Sequence, residues 1–280
     1  MKERILIILL ILNFALMVGI NNKVEELDKS VAKISAKKVM PMEMELKTKQ
    51  IAKDMKAKAK SVLSIRCEDS STPPNPKPKD DKGAYPKKWY GTASKIGSNL
   101  ILTAHHLVSD QEEKDRKFPI TCKLFQKGTE VGFLNSAKQS IKQISDRDIV
   151  FMEVVFNELG KDIPELAPEL DPEVPTGENL VLITHPRNFM NDYLITFGMV
   201  INNEPTSLLT EARQKYWKNS VITNMTAAPG SSGSPLFTLD GRFIGIHVSG
   251  EREEMQANYQ IIFDTEFFLN YGLLKLFKTK

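Results

Sequence analysis

Beyond residue 60 the chain alternates short apolar stretches with turn-forming residues. Residues 61–67 alternate in polarity and are rich in β-formers, which predicts a first strand. Residues 93–96 and 100–104 read as a hairpin around Gly97-Ser98-Asn99, and residues 119–126, 131–134 and 149–155 supply further strands. A proline-spotted stretch, 164–175, reads as a crossover. After it, residues 179–184, 194–200, 220–224, 235–237, 243–248 and 259–263 repeat the strand pattern, and 265–277 close the chain with an amphipathic helix. Many short strands and one terminal helix predict an all-β body, two small barrels joined by the crossover.

The first 60 residues follow other rules. Lys2-Glu3-Arg4 precedes an apolar run, residues 5–20, broken only by Asn13. Such a run is either a membrane anchor or a secretory signal. It is short for a span, yet no small-residue cleavage triplet follows it. Both readings place the body outside the cytoplasm: anchored through residues 5–20, or secreted after cleavage. Residues 21–60 read as a lysine-rich stalk. Val24, Leu27, Val31 and Ile34 have helical spacing, Pro41 interrupts, and residues 46–60 have helix-forming composition with few apolar contacts, as a solvated linker would. Residues 68–89 hold five prolines and form a long loop. The expected organisation is therefore 1–20 anchor or signal, 21–60 stalk, 61–172 first barrel and 173–280 second barrel.

Charge sharpens this division. The 280-residue chain carries a net charge of +3, but residues 21–60 alone hold eleven lysines against six acids. The body is slightly acidic, so it bears no nucleic-acid footprint. Four scattered histidines give no metal-ligand spacing, and no cofactor motif occurs. The two cysteines, Cys67 and Cys122, fit one disulfide or two buried thiols equally well.

The candidate chemistry lies in three segments. Ala227-Ala228-Pro229-Gly230-Ser231-Ser232-Gly233-Ser234-Pro235 grips a serine between glycines, which permit a tight turn. In such a turn Ser232 is a candidate nucleophile, and the Gly230 and Ser232 amides a candidate oxyanion hole. Ile101-Leu102-Thr103-Ala104-His105-His106-Leu107 offers a general base. Neighbouring strand residues point to opposite faces, so only one of its two histidines reaches a shared cleft. Asp146-Arg147-Asp148-Ile149-Val150-Phe151 offers a carboxylate at the head of an apolar strand. There an acid needs a buried donor, which an imidazole N–H supplies.

These segments resemble the trypsin-like, chymotrypsin-fold serine peptidases, nearer to the bacterial Deg/HtrA and glutamyl-endopeptidase branches than to digestive trypsins. The resemblance covers roughly residues 61–280 and implies two six-stranded antiparallel barrels. It assigns His106, Asp148 and Ser232 to the triad and leaves His105 structural and Asp146 a solvated turn residue. Ser234 stands where trypsins have glycine. Ser231 replaces their aspartate, so activation through a freshly cut N-terminus is not expected. Where Deg/HtrA proteins carry I-G-N-P, the chain has Ile183-Thr184-His185-Pro186, with His185 a loop histidine. No PDZ domain is expected in the residues that follow Ser232.

The resemblance also implies an extended peptide substrate added as a strand along Val248-Ser249-Gly250. Gly245-Ile246-His247 matches the glutamyl branch, where such a histidine donates to a Glu or Gln side chain before the cut, with Thr226 near the opposite wall. An aliphatic-preferring pocket of the Deg/HtrA kind is the competing expectation. Two readings of other classes stand beside the peptidase: a catalytically silent peptide-binding module on this fold, and a surface-attachment protein acting through its basic stalk.

Overall fold

The computed structural model describes residues 42–69, 88–108, 120–135, 141–143, 147–187, 192–204, 219–250 and 258–270. The apolar run 5–20, the proposed helix through Val24–Ile34, the proline-rich loop and Asp146 lie outside these residues. Among the described residues no helix is long and apolar enough to cross a membrane.

Helix α1, Met42–Lys58, leads through a 3-10 turn, Ala59–Ser61, into strand β1, Val62–Asp69. Strands β2 (Lys88–Gly97) and β3 (Leu100–Thr103) form the expected hairpin, and a 3-10 turn, His105–Leu107, follows. Then come β4 (Ile120–Gln126), β5 (Thr129–Asn135), β6 (Ile141–Gln143), β7 (Val150–Glu153), β8 (Val155–Phe156) and a single helical turn, α2 (Glu158–Lys161). After the crossover follow β9 (Asn179–Thr184), β10 (Leu194–Asn202), β11 (Ser220–Thr223), β12 (Pro235–Thr238), β13 (Phe243–Gly250), β14 (Asn258–Ile262) and α3 (Thr265–Asn270).

The second half closes into the expected six-stranded barrel, in the order β10-β11-β14-β13-β12-β9. The first half departs from six strands. It is an eight-stranded antiparallel sheet, β6-β7-β3-β2-β1-β4-β5-β8. Two short strands make the difference. β6 adds to β7, and the expected strand 149–155 breaks at Val154, whose N–H turns away to Asn99 O, so that β8 pairs with β5 instead.

Period-2 alternation explains why several strands are apolar throughout. On β9, Leu180 and Leu182 point into the second barrel while Val181 and Ile183 join the core between the barrels. Around β7, Val150 and Met152 face the first barrel, and Ile149 and Phe151 the shared core. A strand buried on both faces has no polar side to show. An aromatic series crosses this shared core: Phe151 to Phe268 at 5.6 Å, Phe268 to Phe263 at 5.7 Å and Phe263 to Phe243 at 5.0 Å, all edge-to-face. Cys67 on β1 and Cys122 on β4 are cross-strand partners joined by a disulfide, which settles their state.

The chain divides between Gln50 and Ile51, inside α1, rather than at Ser61. Met55 and Ala59 are buried in the shared core and Ile51 packs against it. The last turns of α1 are therefore not a solvated linker. Met55→Ala is expected to cost about 2–5 kcal/mol by creating a cavity, read as a shift in urea midpoint at constant slope. A cost below about 1 kcal/mol, the size of an ordinary surface change, would return these turns to the stalk.

Candidate active site

Asp148 enters β7 from a buried position, 2% exposed, where an ionised carboxylate needs full hydrogen bonding. The preceding turn supplies it. The backbone N–H of His106 donates to Asp148 Oδ1 at 2.8 Å, and its ring Nδ1–H donates to Oδ2 at 2.6 Å. His106 thus presents Nε2 as an acceptor, from a ring that is 37% exposed. Burial by itself would lower the pKa of this ring, but the charge and hydrogen bond of Asp148 outweigh it and hold it above the ordinary value. His105 is buried, with its N–H on Asp148 O at 3.3 Å. Both histidines lie within the 3-10 turn after β3 and not on a strand, so strand alternation is not what sets them apart.

The Gly230–Ser234 loop is carried to the same edge by β2. Thr92 N–H donates to Ser232 O at 2.8 Å, and Thr92 Oγ1–H donates to Gly230 O at 3.0 Å. Thr92 Oγ1 in turn accepts the His185 N–H at 2.9 Å, and Thr92 O accepts Thr103 Oγ1–H at 2.7 Å. Two glycines permit the close approaches of this loop, one to residues 185–187 and one to β2. Gly230 has φ +100°, and a Cβ there would lie 2.6 Å from Arg187 N. Gly233 has φ +83°, and a Cβ there would lie 2.1 Å from Thr92 O and 2.9 Å from Ala104 N, just ahead of the histidines. Ser232 is part-exposed, whereas Ser231 is buried and holds the loop from below: its Oγ accepts from Ala228 N–H at 3.1 Å and from Thr184 Oγ1–H at 2.8 Å. Among the described residues neither the Gly230 nor the Ser232 amide donates to a protein acceptor.

His247 lies on β13, directly behind the loop. Its N–H donates to Ser234 O at 2.9 Å and its carbonyl accepts Gly233 N–H at 2.8 Å. Gln260 on β14 donates from Nε2 to His247 Nδ1 at 3.2 Å and to Thr223 Oγ1 at 3.2 Å, which leaves the His247 hydrogen on Nε2. Burial, together with the charge on His106, pushes His247 down to about 4, so it is neutral near pH 7. Thr226 is exposed. Val248 is buried, Ser249 part-exposed and Gly250 exposed, and the pairing of β13 with β12 ends at Ile246. His185 is a loop residue, as expected, and is buried with both ring nitrogens facing backbone carbonyls.

Sequence reasoning missed Thr92, Gln260 and Arg147. Arg147, beside Asp148 and 3% exposed, donates to Asp264 across the two halves at 2.5 Å. A polar residue amid apolar strand neighbours was the available signal for Thr92 and Gln260, but their partners lie far off in sequence.

The chain matches the trypsin-like peptidase domain over residues 91–246. No curated protein sequence matches it. Among solved structures it is similar to Deg5, at 15% identity and TM-score 0.56, covering 84% of this chain and 98% of that one. The HtrA-type protease AlgW with a tripeptide matches at 14% identity and TM-score 0.54, covering 79% of this chain and 61% of that one. A serine endoprotease from Yersinia pestis matches at 15% identity and TM-score 0.50, covering 82% and 67%. The chain thus spans only 61–63% of the length of the first AlgW structures it matches. At these identities the likeness is one of fold.

Gly177 provides a control for the tight contact at Gly233. It has φ +91° with nothing within 4 Å of a built Cβ. Gly177→Ala is expected to cost only the backbone strain, about 1–2 kcal/mol. Gly233→Ala should cost clearly more in the same urea titration, because it adds a clash with backbone. Equal costs would mean that the loop does not seat against β2.

Proposed function

The chain belongs to the trypsin-like peptidase family, and on that premise we propose that it is a serine endopeptidase working through Ser232, His106 and Asp148. The observation that carries the reading is the double hydrogen bond from His106 to the buried Asp148, at 2.8 and 2.6 Å. It sets the imidazole tautomer that a serine proton requires. Ser232 Oγ attacks the scissile carbonyl as His106 Nε2 takes its proton, giving a tetrahedral intermediate whose oxyanion meets the Gly230 and Ser232 amides. His106 returns the proton to the leaving amine, and the acyl-enzyme is hydrolysed by water along the reverse route. Asp148 stabilises the imidazolium without being protonated.

Substrate is an extended protein segment added along Val248-Ser249-Gly250, where β13 has run past its partner β12. The side chain before the cut meets the Nε2–H of neutral His247. That donor suits a Glu carboxylate or a Gln carbonyl and is left unpaired by an aliphatic side chain. Thr226 lines the opposite wall. The body works outside the cytoplasm, anchored through residues 5–20, a placement supported by the disulfide between Cys67 and Cys122.

Ser232→Ala and His106→Ala are each expected to remove hydrolysis by a factor on the order of 10⁴ or more, with folding kept. His105→Ala should retain turnover, and a reversal of the two histidine variants would refute the assignment. The pH profile of kcat/KM should rise through a midpoint above about 6.5, because only neutral His106 accepts the serine proton and Asp148 raises its pKa. Asp148→Asn should lower that midpoint.

Peptide-library profiling tests the pocket. Glu or Gln is expected before the cut, with that preference lost in His247→Ala. A preference for Val, Ala or Leu, unchanged in His247→Ala, would instead establish the aliphatic pocket.

A further inference from the structure

A cavity of about 450 Å³ has His185 in its lining, and none of His106, Asp148 or Ser232 lines it. That volume falls within the range of small-molecule sites. Its walls are apolar, built from Val62, Ile163 and Tyr193, with Leu159 at its edge. Its rim carries Lys56, Lys60 and Lys127 against the single acid Asp162. Among the described residues the three lysines form no ion pair. The walls are pinned from outside the cavity. Lys95, itself 1% exposed, donates from Nζ to the carbonyls of Gly160, Lys161 and Ile163 at 3.1, 3.0 and 2.8 Å. Within the lining itself, Gln126 donates to Lys60 O.

The floor is His185, 3% exposed. Its Nδ1 faces Asp192 O at 2.8 Å and its Nε2 faces Val62 O at 3.3 Å. A neutral ring has one N–H for these two acceptors, so one contact goes unfilled. Burial keeps the ring neutral by lowering its pKa. An anion held by the rim lysines favours the second proton and fills both contacts. From His185 the route to the Gly230 loop is short. Its backbone N–H donates to Thr92 Oγ1, whose hydroxyl donates to Gly230 O. Arg187, two residues on, donates its N–H to Pro229 O at 2.7 Å.

We propose that this cavity is an effector site for an amphiphilic carboxylate, an acyl chain with an anionic head, and that its occupation is transmitted through His185 and Thr92 to the Gly230 loop. The apolar walls take the chain, the lysine rim takes the head, and a fixed His185 holds Thr92 and with it the Gly230 carbonyl. The transmission arm rests on the peptidase reading, whereas the binding arm does not.

The test uses the full chain and decanoate below its micellar concentration, with decanol and acetate as controls for head and chain. Calorimetry should show one decanoate per protein, bound at least about tenfold tighter than either control, and about tenfold weaker in Lys60→Gln/Lys127→Gln. Decanoate should raise kcat for a fluorogenic peptide on the order of fivefold at constant KM, and the lysine variant should keep its basal kcat. Thr92→Val should bind decanoate as the parent does and lose the response. Undiminished binding in the lysine variant overturns the site. Decanoate that binds without raising kcat overturns the transmission. Should no peptide be cut at all, the peptidase reading fails separately, and slowed amide hydrogen exchange across residues 230–234 on decanoate binding becomes the readout of transmission.

Discussion

Thr92 is the point on which the two halves of the body agree. It is fully buried, and its N–H, hydroxyl and carbonyl are engaged by Ser232, Gly230, His185 and Thr103. A buried polar group is costly when unpaired, so this side chain tolerates one arrangement of its neighbours. That arrangement sets the loop of Ser232 against the strand pair that ends in the His106 turn. The glycines at 230 and 233 follow from the same crowding: without a Cβ, Gly233 approaches Thr92 on β2 and Gly230 approaches the backbone of residues 185–187.

Around this polar centre the packing is apolar and two-sided. β9 and the segment entering β7 give alternate residues to their own barrel and to the shared core, so neither half is complete without the other. The edge-to-face aromatic series from Phe151 to Phe243 and the Arg147–Asp264 pair cross the same boundary. Asp148 sits between Arg147 and Ile149, the first residue of this core, and its carboxylate is held by the backbone N–H and ring of His106. The site is therefore held by rigid elements on both sides, the condition for preorganised electrostatics.

Two imidazoles within electrostatic reach of one another are pushed in opposite directions. His106 is raised by Asp148 despite its burial, while His247 is lowered by burial and by His106 itself. One ring thereby holds a proton more readily than an ordinary imidazole, and the other stays neutral near pH 7. This division of labour lets two histidines share a small volume without competing for the same charge.

The all-β class, the hairpin of β2 and β3, the closed second barrel and the segments bearing His106, Asp148 and Ser232 were all legible in the chain itself. Each rests on information a few residues long: a period of two, a turn dipeptide, a glycine-flanked serine, an acid heading an apolar strand. The end of β7 at Val154, the eighth strand, the pairing of Cys67 with Cys122 and the burial of Met55 were not. Nor were the roles of Thr92, Lys95, Gln260 and His185. Each of these depends on partners outside its own segment, such as Gly230, 138 residues from Thr92, or on which face of a strand meets the other barrel. Local pattern states what a segment can become. Only the packed structure decides which distant groups must satisfy a buried threonine hydroxyl or a lysine ammonium, because the cost of leaving them unpaired appears only once water has been excluded.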